Sequence, residues 1–208
     1  QQAIADTLST FDEHIDNLTE LIEKKKAIRD GALEDLATGK VRLEGFNGEW
    51  DVTRLGNIVK VKRGKRVVRR ELSERGNIPV FQNSLDPLGY FTQANCPANS
   101  TIVIAAGNAG DIGFCNCDFW AADDCYYFEG QKSINQKFLY YCLLFNKSYI
   151  SSQSRRTSIP RLSRDVLEKI ELSLPVLVNE QQAIASVLTA MDEELDNLER
   201  EKEKILQM

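Results

Sequence analysis

Apolar residues at Ile4, Leu8, Phe11, Ile15, Leu18 and Ile22 recur at alternating steps of four and three. That spacing makes a narrow apolar stripe along a helix. The stripe returns late in the chain at Ile184, Leu188, Met191, Leu195 and Leu198, and Ile205 rejoins it after Lys202. The two stretches are copies: residues 1–26 and 181–206 share 13 identities, and both open on "QQAIA". A single amphipathic helix usually packs on the body of its own domain. Two copies with matching stripes are most economically paired with each other, which predicts an antiparallel, pseudo-twofold coiled coil. Ile4, Leu8, Phe11, Ile15, Leu18, Ile184, Leu188, Met191, Leu195 and Leu198 are its expected interface. The first helix is expected to stop at Gly39. The second is expected to start at Asn179, three residues before Gln182, as an N-cap with a reciprocal partner.

From residue 40 to residue 178 the rhythm changes. "EWDVTRLGNIVKVKRGKRVV" reads as a turn followed by short strands, with Val52, Leu55, Ile58, Val59 and Val61 in β-branched surroundings. Further strands are expected at "IPVFQN", "STIVIAA", "IGFCNCDF" and "CYYFEG", separated by turns of Gly, Asn, Asp and Pro. "NQKFLYYCLLF" has the length and apolar face of a helix, and "SRDVLEKIELSLP" reads as a short helix running into a last strand. Strands in series with few helices predict an α+β fold: a curled mixed β-sheet with short helices, flanked by two long helices. The chain divides accordingly into a helix at 1–39, a mixed domain at 40–178 and a second helix at 179–208.

A chain of 208 residues suffices for one domain with a real core plus accessory helices and is short for two full domains. Its net charge of −5 by itself argues against a nucleic-acid binder, but the charge is unevenly shared. Residues 44–178 hold 17 Lys+Arg against 14 Asp+Glu, whereas the flanks hold 9 against 17. Within the middle, "KVKRGKRVVRR" places Lys60, Lys62, Arg63, Lys65, Arg66, Arg69 and Arg70 together without one acid. Such a run can guard an edge strand. In a protein with an acidic total it points instead to phosphate binding, where a polyanion compensates the charge. "SRRTSIPRLSR" adds Arg155, Arg156, Arg161 and Arg164, and two separated basic loops suit a surface that straddles a duplex. Phosphate contacts position a protein; reading sequence takes side chains that meet base edges. Gln82 and Asn83 in "FQNS" and Asn108 in "AAGNAGDIG" are the candidates besides the arginines, although such residues in loops commonly form turns.

Enzyme readings find little support. "GNAGDIG" lacks the Lys-Ser/Thr ending of a phosphate loop, and there is no Asn-Pro-Pro-aromatic segment of the kind an amino-methyltransferase needs. His14, the one histidine, lies outside the apolar stripe on an acidic helix, which argues against a His-dependent triad or zinc site. Cys96, Cys115, Cys117 and Cys125 read as packed core thiols rather than a metal site, because Cys-x-Cys is not the usual knuckle spacing and places both thiols on one strand face. Five cysteines, no basic-then-apolar leader and no apolar run near the length of a membrane span predict a cytoplasmic protein with reduced thiols.

"LATGKVRLEGFNGEWDVTRLGNI" and "LSLPVLVNEQQAIASVLTAMDEELDNLEREKEKI" together resemble the specificity subunit of type I restriction-modification systems. In that family two target-recognition domains alternate with two conserved helices. Leu174, Pro175, Glu180, Gln181, Ile184 and Ala185 match the lead-in to such a helix, and Gly48, Glu49, Trp50, Leu55, Gly56 and Ile58 match the opening of a recognition domain. The resemblance implies a non-catalytic subunit that reads one half of a bipartite target in double-stranded DNA. Its helices would dock methyltransferase subunits, and the restriction subunit would join through the complex. S-adenosylmethionine and ATP would sit on those partners, with no cofactor in this chain and no membrane partner. One recognition domain stands here where a full subunit has two. The chain is therefore expected to be the second half of a longer subunit, with a domain upstream, or a natural half-subunit that dimerises. A coiled-coil scaffold with an incidental basic patch and a DNA-modifying enzyme with an unrecognised site remain the alternatives.

Overall fold

A computed structural model describes residues 2–73, 75–130, 133–154 and 160–207, and the side chains of the first helix from Phe11 onward. In chain order the elements are α1 (Gln2–Thr38), β1 (Trp50–Arg54), α2 (Leu55–Ile58), β2 (Val59–Arg63), a 3-10 turn (Arg69–Glu71), β3 (Ile78–Phe81), β4 (Gly89–Phe91), β5 (Ser100–Ile104), β6 (Ile112–Cys115), β7 (Trp120–Ala121), β8 (Cys125–Gly130), α3 (Gln136–Phe145), α4 (Lys147–Ser152), α5 (Arg164–Glu168), β9 (Glu171–Pro175) and α6 (Val178–Leu206). The expected strands form, except that Leu55 and Ile58, read as strand positions, lie in the short helix α2 between β1 and β2; β4, β7 and α4 are additional and short.

α1 ends one residue before Gly39, as its sequence predicts. The start of α6 differs from expectation. Its N-cap is Leu177, and Asn179 lies inside the first turn, where its Oδ1 accepts from Glu180 N at 2.9 Å. The preceding strand sets this start: Val176 N still donates to Glu49 O, so only Val176 and Leu177 lie between β9 and α6, and leucine at the N-cap has no side-chain acceptor.

α1 and α6 pack antiparallel. Lys26 pairs with Glu199 at 2.6 Å, Lys25 with Glu194 at 2.8 Å and Arg29 with Asp192 at 3.3 Å, while His14 stands 3.8 Å from Glu201 near the far end. The exposed pairs among them set register and contribute little stability each; Arg29 and Asp192 are half-buried. The seam between them supplies the burial: Leu18, Ile22, Leu33 and Leu36 from α1, and Ile184, Leu188 and Leu195 from α6. Ile15, Met191 and Leu198 are half-buried. Phe11 corrects the expectation of a continuous seam, being 38% exposed. It lies on α1 beyond the His14–Glu201 pair. The side chains of Ile4 and Leu8 lie outside the described residues.

The fold is α+β, with its strands divided among three sheets. β1 and β9 form a ribbon, β2-β8-β5-β6 an antiparallel sheet, and β4-β3-β7 a small sheet in which β3 pairs antiparallel with β4 and parallel with β7. The four-stranded sheet is buried on both faces, which explains why β5 reads apolar almost without alternation. One face places Val61, Val103, Tyr126 and Phe128 in the main core with Phe138, Leu139, Ile184 and Leu188. The other packs Ile102, Ile104 and Cys125 against Phe81 and Phe119. Beyond that lies the three-stranded sheet, whose outer face buries Val80 beneath Val67 and Leu72. The order is thus helices, large sheet, small sheet, and then the segment that carries the basic run.

Candidate nucleic-acid interface

Because β8 runs antiparallel to both β2 and β5, those two strands finish where β8 begins. Arg63, Ile104 and Cys125 therefore mark one end of the large sheet, and the loops leaving it converge. Asn108 N donates to Asn83 O at 2.9 Å, Gly107 N to Pro160 O at 3.2 Å and Leu162 N to Ala105 O at 2.8 Å. Ala106 and Arg161 form an antiparallel bridge. Gly107 permits this approach: its φ is +86°, and a Cβ there would lie 2.7 Å from Asn83 Cβ. Three candidates distant in sequence, Asn83, Asn108 and Arg161, are thereby exposed on adjoining loops, with Gln82 half-buried beside them. Arg155 and Arg156 lie outside the described residues. Arg164, on α5, is 3.4 Å from Glu168 one turn on.

The basic run proves to be half strand and half strap. On β2, Val59 and Val61 are buried and Lys60 is exposed. Pairing with β8 brings acids that the local sequence lacks: Lys62 lies 3.5 Å from Glu129, and Arg63 lies 3.8 Å from Asp124 while its Nε donates to Asp123 O. At Gly64 the chain leaves the strand, pressed so closely on the carbonyl oxygens of Ala121 and Ala122 that no Cβ fits. Lys65 N then donates to Ala121 O, and Trp120 Nε1 to Lys65 O. The strap crosses the small sheet with Val67 turned inward, which leaves Lys65, Arg66, Arg69 and Arg70 exposed. Among the described residues these four and Lys60 form no ion pair with an acid.

The helix–domain junction is a different kind of site. Glu180 is fully buried and accepts from Arg42 Nε at 2.7 Å and Nη2 at 2.9 Å, a bidentate pair, and from Trp50 Nε1 at 3.2 Å. Arg42 also donates to Gly48 O and stands 5.4 Å from the Trp50 ring centroid. Gln181, equally buried, donates to Pro175 O and Ser133 O and accepts from Asn135 N. Further along α6, Asp192 and Thr189 hold the Tyr141 hydroxyl of α3 at 2.8 and 3.1 Å. Gly48, Trp50, Glu180 and Gln181 therefore fasten the mixed domain to its helix.

The family model for the type I restriction modification DNA specificity domain matches residues 47–207. The chain belongs to this family. A protein named as a type I specificity subunit of Mycoplasma genitalium is 25% identical over 97% of this chain and 55% of its own length. A similarly named Mycoplasma pneumoniae protein is 28% identical over 95% of this chain and 82% of its own length. The crystal structure of a type I restriction-modification S subunit from M. genitalium superposes with a TM-score of 0.78 at 25% identity, covering 99% of this chain and 57% of that one. This specificity domain with its two helices thus spans about half the length of the M. genitalium proteins it matches.

Cysteines in this specificity domain are placed by packing. Cys96, Cys115 and Cys125 share the core between the two larger sheets, and burial pushes the Cys96 and Cys115 thiols up to about 12. β6 ends at Cys115, so the strand alternation stops there and Cys117 is exposed, contrary to the expectation of two thiols on one strand face. Among the described residues no group of His, Cys, Asp or Glu is arranged to hold a metal, and no helix is long and apolar enough to cross a membrane.

Proposed function

We propose that this chain is the non-catalytic, DNA-reading half of a type I specificity subunit, and that it binds one half of a bipartite double-stranded target. The observation that carries this reading is the convergence of Asn83, Asn108 and Arg161 at one end of the domain, together with an exposed cationic strap on the layer farthest from the helices. The strap supplies sequence-independent attraction to phosphate, and the loops supply side chains able to meet base edges. The long helices serve as the spacer on which methyltransferase subunits dock, with the restriction subunit joining through the complex. S-adenosylmethionine and ATP belong to those partners. Free cysteines fit a cytoplasmic setting.

One observation supports a second recognition unit. Phe11 is exposed, whereas Met191, its counterpart in the repeat, packs against the core. A preceding domain in a longer subunit, or a second copy of the chain, would cover it.

Neutralising Lys65, Arg69 and Arg70 together is expected to weaken duplex binding for all sequences. The plot of log affinity against log salt should flatten by roughly 0.9 units for each phosphate that the variant no longer neutralises. Titrations at several salt concentrations measure this, and an unchanged slope would turn the strap away from DNA.

A further inference from the structure

We infer that the cleft between the basic strap and the outer face of the β4-β3-β7 sheet is a second base-reading site, which takes a purine edge of duplex DNA and uses Gln93 and Arg66 as its specificity-determining side chains. The inference rests on the DNA-reading function proposed above and assigns to it residues outside the convergent loops.

The cleft has a volume of about 410 Å³. Its floor is Phe91 and Trp120, packed edge to face with centroids 5.1 Å apart. Trp120 spends its one polar group on Lys65 O, so the floor is apolar and held rigid by the sheet. Arg66 and Glu71 form one rim, and Thr92 and Gln93 the other. Glu71 is fixed in place, its Oε2 accepting from Val68 N at 3.0 Å. Arg66 and Gln93, by contrast, are exposed and make no side-chain hydrogen bond or ion pair among the described residues. Long polar side chains free on either side of a rigid floor are costly to order for the fold alone and are suited to an incoming partner.

Charge and chemistry select that partner. Lys65, Arg69 and Arg70 border the cleft on the strap and favour a phosphodiester backbone beside it. A glutamine amide presents the donor and acceptor that match adenine N6 and N7, and a guanidinium matches guanine O6 and N7. Position agrees as well. β3 pairs with Phe91 and Trp120 through Ile78 and Val80, then runs directly into Gln82 and Asn83. Trp120 and Phe91 thus stand beside strand positions three and five residues before Asn83, a span of roughly 10–17 Å, or about three to five base pairs along a duplex. The cleft and the convergent loops can therefore read neighbouring positions of one half-site.

The test is selection from a random duplex pool by the complete chain and its variants, assembled with the methyltransferase subunits where the chain alone binds too weakly to select. Gln93→Ala and Arg66→Ala are each expected to lower discrimination at one base pair by roughly 5- to 150-fold. That pair should lie within about six base pairs of the one relaxed by Asn83→Ala. Lys65→Ala and Arg70→Ala should reduce affinity without changing the selected sequence. If Gln93→Ala and Arg66→Ala select the same sequence as the parent with undiminished discrimination, the cleft reads nothing and the inference is overturned. A parent that selects no sequence at all would overturn the DNA-reading function itself, and the inference with it.

Discussion

Replacing Glu180 with alanine is expected to destabilise the protein by about 3–5 kcal/mol, the cost typical of breaking a buried ion pair by removing one partner. Glu180 has no solvent access, and its two oxygens satisfy Arg42 and Trp50 together. Alanine would leave the guanidinium beside the Trp50 ring without its counter-ion and would free the indole N–H. Glu180→Gln keeps the volume and one acceptor, so it should lose less. Urea unfolding of the parent and both variants gives the comparison. A loss below about 1 kcal/mol for alanine would mean that water enters the junction and that β9 alone fixes the helix.

Leu188→Ala should cost about 2–5 kcal/mol, because Leu188 is fully buried where α6 meets both α1 and the domain core. Phe11→Ala should cost far less despite the larger side chain, since Phe11 stands in solvent beyond the last ion pair of the seam. The contrast between the two is the informative quantity. Equal losses would mean that the apolar stripe is used uniformly along α1, and the register described above would be wrong.

The helix pair was legible because its signal is periodic and repeated: the 4-3 spacing survives any local context, and two matching copies name each other as partners. Its limits were not. Phe11 is exposed beyond the His14–Glu201 pair, and nothing within the first copy marks that change. Local patterns also identified the expected strands, but not β7, whose two residues are too few to show a period. Asn83, Asn108 and Arg161 were each unremarkable as loop residues; only strand pairing brings their loops to one end of a sheet. Lys62 and Arg63 show the converse, since the acids that meet them arrive from β8 and its turn, more than sixty residues away. Arg42 was passed over for the same reason, its partner lying 138 residues on. Gln93 and Thr92 carry no charge and no turn signal, so only the cleft they border draws attention to them.

Hydrogen exchange of the chain with and without duplex DNA carrying its selected half-site tests the central claim most directly. Protection is predicted in the strap at residues 64–71, in the loops at 82–84 and 106–111, and at 92–93 beside the cleft, with α1 and α6 unchanged. Protection confined to the helices, or none in the strap and loops, would contradict the account.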